Sequence, residues 1–170
     1  PALLKHCQNT ALAAAIAMSA MTAASCKHLD DDRVPVMPVN IVFATPADWD
    51  VYGVSGALSY KNFIRERRVP ASFPYTALTY TGYGGVLLLC DVQGAPQAYD
   101  LSCPVEHKAD VRVAIDEDDE FLARCPQCGS KYNVFSLTGH PVSGPAAKDG
   151  FALRRYRVGP QGSNYMVVSY

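Results

Sequence analysis

Two short loops carry the residues whose types and spacing can do chemistry. The first contains Cys103 and His107, and the second contains Cys125 and Cys128 in the run CPQCGSKY. Each loop begins with Cys-Pro and offers two groups that bind soft or borderline metals. Four such ligands converging from two loops are what a zinc ion or an iron–sulfur cluster requires. Cys-x-x-Cys-Gly is also typical of a tight turn whose amides donate to thiolates, so the second loop is the stronger signal.

The spacing of the two loops predicts how they meet. Seventeen residues separate His107 from Cys125, which is enough for a strand, a turn and a second strand. Within that interval Val111, Val113 and Ile115 alternate with Arg and Ala, the period of a half-buried strand. A hairpin in this interval would place both loops at one end of a sheet.

The rest of the chain after residue 33 predicts short strands separated by glycine and proline turns. No segment there has a helical apolar period, and turns are predicted at 139–141 and 144–145. These features favour an all-β fold, an antiparallel sandwich or small barrel with the two metal-binding loops at one tip. The other predicted strands are residues 39–43, 86–89, 97–101, 120–124, 151–158 and 165–168.

Composition limits the classes of function. The 170 residues are 49% hydrophobic and carry 15 basic and 16 acidic side chains, so one packed domain with an appendage is expected. The lack of a basic excess argues against a nucleic-acid partner. Only four histidines are present, which nearly excludes any site built from three or more of them.

The amino-terminal segment is predicted to be a targeting signal rather than part of the fold. Residues 11–25 are an uncharged run of small and apolar side chains, preceded by Lys5 and followed by Cys26. The run resembles a bacterial lipoprotein signal, and the acidic stretch after Cys26 resembles the export signal of surface lipoproteins in the Bacteroidetes. These resemblances imply a signal peptide at 1–25, lipidation of Cys26, and an acidic linker at 26–35. They imply a protein of the bacterial cell envelope, anchored to a membrane by lipid and facing outward.

From about Gly84 to Val158 the sequence resembles the Rieske [2Fe–2S] domain. Cys103-Pro104 resembles the start of the family's first ligand loop, and the run from Cys125 to Tyr132 resembles the second. The segments 139–146 and 151–158 are similar to the family's proline loop and closing strand. The resemblance implies a Rieske-like domain over residues 36–170, a [2Fe–2S] cluster, and electron transfer to an unknown redox partner. It also implies that Ser130 and Tyr132 hydrogen-bond the cluster's sulfurs.

The ligand set departs from the Rieske pattern in both loops. Cys128 stands where the family has histidine, and Cys-x-x-x-His replaces Cys-x-His, which displaces His107 by two residues. The nearest ligand set is therefore Cys103, Cys125, Cys128 and His107. By ligand chemistry alone, three thiolates and an imidazole suit zinc equally well. A vestigial, metal-free site with a disulfide among these cysteines is a further alternative outside the cytosol.

Two functions remain, and neither is enzymatic. The first is a lipid-anchored electron carrier, and the second is a binding or structural module that a zinc ion holds together. A Rieske oxygenase would need a further catalytic domain with a two-His, one-carboxylate iron site, and the chain lacks the length and the histidines. Among the other reactive residues, Cys90 is expected to be a small buried hydrophobe and His140 an exposed turn residue. The basic run 61–68 is expected to be a solvated loop or short helix, with docking of an acidic redox partner as the alternative.

Overall fold

The computed structural model describes residues 29–136, 139–161 and 164–168, so the predicted signal peptide and Cys26 lie outside the described residues. Antiparallel strands dominate these ranges, which confirms the predicted all-β class. A 3₁₀ turn lies at Arg65–Arg67, and the short helices are α1 (Pro46–Tyr52) and α2 (Gly144–Asp149). The strands are β1 (Val39–Val42), β2 (Tyr60–Phe63), β3 (Tyr80–Thr81), β4 (Val86–Cys90), β5 (Pro96–Asp100), β6 (Ala114–Ile115), β7 (Leu122–Arg124), β8 (Lys131–Asn133), β9 (His140–Ser143), β10 (Arg155–Gln161) and β11 (Asn164–Val168).

The larger sheet runs in the order β2-β4-β5-β10-β11-β1-β3. Strand β10 pairs with β5 only through Arg155 and Tyr156 and with β11 from Arg157 onward, so it carries the chain from one half of the sheet to the other. All five residues of β4 are buried. This agrees with its continuous apolar sequence, since a strand covered on both faces does not alternate.

The smaller sheet, β6-β7-β8-β9, holds the second metal-binding loop between β7 and β8. Its strands are only two to four residues long. Across this sheet, Lys131 Nζ of β8 lies 2.6 Å from the buried carboxylate of Asp116, which follows β6. The predicted hairpin between the two loops is present as β6 and β7, with Ala114 opposite Arg124 and Ile115 opposite Ala123.

Three local predictions are wrong. Both short helices were missed because they depend on end signals rather than on an apolar period. Helix α1 begins with a capping box, in which Thr45 Oγ1 accepts from the Asp48 amide and the Asp48 carboxylate accepts from the Thr45 amide. Helix α2 has a proline in its first turn, at residues predicted to form a loop. His140 is a half-buried residue of β9, paired with Asn133, and not an exposed turn residue.

Part of the predicted acidic linker packs against the domain. The Asp30 amide donates to the Gly150 carbonyl at 2.8 Å, and the Asp30 carbonyl accepts from the Ala152 amide at 2.8 Å. Val34 is buried, and its carbonyl accepts from the Arg154 side chain at 2.8 Å. Among the described residues, no helix has both the length and the apolar character needed to cross a bilayer.

Candidate metal centre

The first loop is closed by its own backbone. The Cys103 amide donates to the Val111 carbonyl at 3.0 Å, and the His107 amide donates to the Cys103 carbonyl at 3.1 Å. His107 has the left-handed backbone conformation, with φ of 53°, and its carbonyl accepts from the Tyr83 hydroxyl at 3.1 Å. These bonds hold Cys103 at the base of the loop, where it is fully buried.

The carboxylate of Asp100 anchors the first loop to the larger sheet. It is fully buried at the end of β5. It accepts from the amide and hydroxyl of Ser102 at 2.7 and 2.6 Å, from the amides of Tyr83 and Gly84, both at 3.0 Å, and from the Tyr156 hydroxyl at 2.6 Å. Ser102 immediately precedes Cys103, so this network fixes the backbone that carries the first thiol. Asp100 was not among the predicted site residues, although Asp-x-Ser at a strand end is a known local hydrogen-bonding pattern.

The second loop is a tight knuckle. The Cys125 amide donates to the Ser130 carbonyl at 2.9 Å, and the Gly129 amide donates to the Cys125 carbonyl at 3.1 Å. Gly129 has φ of 71°, which glycine adopts without the steric penalty of a Cβ. The backbone amides of Gln127 and Cys128 act to lower the pKa of the Cys125 thiol.

The two loops bring three thiols together. The sulfurs of Cys103, Cys125 and Cys128 all lie within 4.8 Å of one another, and those of Cys103 and Cys128 are 3.7 Å apart. Cys103 and Cys125 are fully buried, whereas Cys128 is half-buried. No disulfide joins the cysteines of the described residues. This group could hold a metal ion, and the predicted convergence of the loops is confirmed for these three residues.

Two hydroxyl groups contact the sulfurs. The Tyr132 oxygen lies 3.4 Å from the Cys103 sulfur, and the Ser130 oxygen lies 3.1 Å from the Cys128 sulfur. The Ser130 oxygen also accepts from the Ala146 amide at 3.1 Å, so helix α2 supports this contact. Both hydroxyl-bearing residues are fully buried, and each therefore has a defined position relative to its thiol.

The thiols differ in their acidity. Burial raises the pKa of Cys125 to about 12, and the nearby Cys103 thiol acts in the same direction. Burial also acts to raise the pKa of Cys128, but contacts with the Ser130 hydroxyl and amide and with the other two thiols lower it overall. Cys125 is therefore a thiol at neutral pH in the metal-free protein, and a bound metal must displace its proton.

His107 and Glu106 lie at the mouth of the site. The group of three thiols does not include His107, which is exposed. The side chain of Glu106 accepts a hydrogen bond from the Gln127 side chain, which links the two loops at the surface. The role of His107 as the fourth ligand stays a prediction.

The geometry of the three thiols fits one metal ion. A tetrahedral ion with metal–sulfur bonds of about 2.3 Å holds its sulfurs roughly 3.8 Å apart, close to the 3.7 Å between Cys103 and Cys128. In a [2Fe–2S] cluster, ligands on different irons are separated by the whole cluster and lie farther apart. The three sulfurs, all within 4.8 Å of one another, could therefore hold a metal ion.

The fourth described cysteine is not part of the site. Cys90 lies in β4 and is 3% exposed. It packs in an apolar cluster with Ile41, Phe43 and Phe63, apart from the three thiols of the site. Burial raises the pKa of its thiol. Cys90 thus has the surroundings of the small buried hydrophobe that the sequence predicts.

The chain was compared with protein families, with curated proteins and with solved structures, and none of the three comparisons finds a match.

Proposed function

We propose that this protein is a non-enzymatic metal-binding module in which one ion, held by Cys103, Cys125 and Cys128, joins the two loops. The observation that carries the proposal is the convergence of these three sulfurs within 4.8 Å. Three adjacent thiols offer one another only weak hydrogen bonds in the metal-free protein. As thiolates, the same three groups are good ligands for a soft or borderline metal ion.

A metal ion would supply a cross-link where the β structure is weakest. The strands of the smaller sheet are two to four residues long, and such short strands provide few ladder hydrogen bonds. Cys103 lies beyond the end of β5 and Cys125 beyond the end of β7. An ion bound to both would therefore connect the two sheets. Zinc is the ion we propose, because it forms closed tetrahedral sites with thiolates and has no redox chemistry of its own.

The test is metal and sulfide analysis of anaerobically purified full-length protein. We expect one zinc per chain without acid-labile sulfide. Cys125→Ser and Cys128→Ser should each lose the metal, whereas Cys90→Ser, the matched control in the core, should retain it. Protein that contains no metal when purified and binds none on addition of zinc would contradict the proposal.

A second candidate is the electron carrier that the sequence analysis predicts, and the two hydroxyl contacts favour it. Hydrogen bonds to ligand sulfurs are a principal means by which proteins set the potential of iron centres. Tyr132 contacts Cys103 at 3.4 Å and Ser130 contacts Cys128 at 3.1 Å. The ligands would be the three cysteines, with His107 as the predicted fourth for a [2Fe–2S] cluster.

This candidate has distinct readouts. Iron with stoichiometric sulfide, a red-brown colour and a reversible one-electron couple would replace the zinc proposal by the electron carrier. Tyr132→Phe should then lower the potential, because a lost hydrogen bond to sulfur favours the oxidised iron. A colourless, zinc-containing protein with no couple would exclude it. This candidate includes the predicted lipid anchor, the predicted location in the cell envelope and an unknown redox partner.

A further inference from the structure

The three cysteines of the site are not equivalent in access or contact. The sulfurs of Cys103 and Cys128 are 3.7 Å apart and belong to different loops. Cys128 is half-buried, whereas Cys103 and Cys125 are fully buried. Cys125 lies in the same loop as Cys128, and its sulfur is within 4.8 Å of the other two.

From this arrangement we propose that Cys103 and Cys128 are a site of reversible oxidative modification, forming a disulfide that excludes the metal. The exclusion of metal rests on the proposed function, whereas the disulfide pairing does not. To form this bond the two sulfurs, 3.7 Å apart, must approach to the S–S bond length of about 2 Å. The same movement removes two of the three thiolate ligands.

The reaction is thiol–disulfide exchange with a small-molecule disulfide as oxidant. The accessible Cys128 sulfur attacks one sulfur of the oxidant, whose S–S bond breaks to release one thiolate and leave a mixed disulfide on Cys128. Cys103, at 3.7 Å, then attacks the Cys128 sulfur and displaces the second thiolate. Two electrons pass to the oxidant, and the two thiol protons pass to the two released thiolates. A reducing thiol reverses both steps.

The surroundings of the pair favour this order of attack. Cys128 lies at the outer side of the knuckle, next to the exposed Gln127, so an oxidant can reach it. The hydrogen bond between Ser102 and Asp100 fixes the backbone next to Cys103. The Tyr132 hydroxyl oxygen lies 3.4 Å from the Cys103 sulfur. The buried thiol is therefore placed to resolve the mixed disulfide before a second oxidant molecule can reach it.

The test is oxidation of the metal-free full-length protein with oxidised glutathione, followed by alkylation of the remaining thiols and non-reducing peptide mapping. We expect a Cys103–Cys128 cross-link with Cys90 and Cys125 recovered as alkylated thiols. Zinc uptake by the oxidised protein should fall at least about tenfold, because disulfide sulfurs are not thiolate ligands, and dithiothreitol should restore it. Mapping also separates this cross-link from any that involves Cys7 or Cys26.

Matched variants sharpen the result. Cys125→Ser should retain the cross-link, Cys128→Ser should lose it, and Cys90→Ser should behave as the unmodified chain. A cross-link to Cys125, a stable glutathione adduct on Cys128 without exchange, or unreacted thiols in the unmodified chain would overturn the proposal. Protein that takes up zinc but does not form the cross-link would overturn the pairing alone. Protein that forms the cross-link but never binds metal would overturn the proposed function and the exclusion of metal.

Discussion

At the scale of single residues, the three thiols differ in the groups that contact their sulfurs. The Cys103 sulfur contacts the Tyr132 hydroxyl, and the Cys128 sulfur contacts the Ser130 hydroxyl. The nearby backbone amides act to lower the pKa of the Cys125 thiol. Groups of this kind hold metal ligands in position and tune their basicity, and their loss usually weakens binding without abolishing it. Ser130 is the most informative of them because its oxygen contacts both the Cys128 sulfur and the Ala146 amide.

Ser130→Ala should lower zinc affinity by about 10- to 100-fold, the usual effect of losing a group that supports a metal ligand. It should also destabilise the metal-free protein by about 1–3 kcal/mol, because the buried Ala146 amide loses its acceptor. Competition with a chromophoric zinc chelator measures the first effect, and urea unfolding in the presence of EDTA measures the second. Ser72→Ala, at an exposed position, is the control. Unchanged affinity would show that the hydroxyl does not support the ligand.

At the scale of elements, two buried carboxylates fix the parts that carry the loops. Asp100 joins the end of β5 to the turn before β4 and to β10. Asp116 lies just after β6 and pairs with Lys131 of β8 across the short sheet. The Asp100 carboxylate thereby satisfies the backbone amides of Tyr83, Gly84 and Ser102, which lie outside the strands.

Asp100→Asn should destabilise the protein by at least about 3 kcal/mol, because an amide nitrogen would face donors that then lack an acceptor in the interior. Tyr156→Phe removes only one of those donors and should cost about 1 kcal/mol. The difference in the free energy of unfolding, from urea titration of metal-free protein, measures both. Similar values for the two variants would contradict the view that Asp100 is the centre of the network.

The ion pair between Asp116 and Lys131 predicts a pH dependence. The hydrogen bond from Lys131 lowers the pKa of Asp116 in the folded protein. The stabilisation is therefore fully present above the unfolded pKa of about 3.9 and is lost as the pH falls through the lower, folded pKa. Lys131→Met should be less stable than the unmodified chain at pH 6, and the difference should shrink at acidic pH. A difference in the free energy of unfolding that stays constant from pH 6 to the acid limit would exclude the ion pair as its source.

At the scale of the whole molecule, the described residues form two apolar clusters that share the larger sheet. One packs beneath the metal-binding loops and includes Cys103 and Cys125 with Tyr132 and Phe135. The other lies toward α1 and includes Phe43. All residues of β4 are buried, and they belong alternately to the two clusters, so this strand supports both. The group of three thiols is thus an extension of a packed core rather than an appendage to it.

The predicted lipid anchor concerns residues outside the described ranges. Cys26→Ala should release the protein from the membrane fraction to the soluble fraction, because several acyl chains on one cysteine give firm anchoring and their loss leaves none. Fractionation of cells that express each form, with Cys90→Ser as control, measures this. A Cys26→Ala protein that stays with the membrane would contradict the lipoprotein prediction.

The sequence by itself determined the parts that depend on local spacing. The seventeen-residue interval and its alternation predicted the hairpin that joins the two loops, and Cys-Pro-x-Cys-Gly predicted the knuckle, because both depend on neighbouring residues. The larger strands were also readable, since their apolar runs report burial directly. Strands β2, β3, β8 and β9 and the two helices were not predicted, because segments this short carry no clear period.

Tertiary structure decided which of the predicted ligands meet and what holds them. The thiol group comprises Cys103, Cys125 and Cys128, whereas the exposed His107 has a left-handed backbone and its carbonyl accepts from Tyr83, twenty-four residues earlier in the chain. Asp100 acquires its role only when Tyr83, Ser102 and Tyr156 surround it. Such contacts join residues distant in sequence, and their geometry depends on how the sheets pack. A pattern of residue types therefore predicts that thiols are present, whereas packing alone decides that these three share one site.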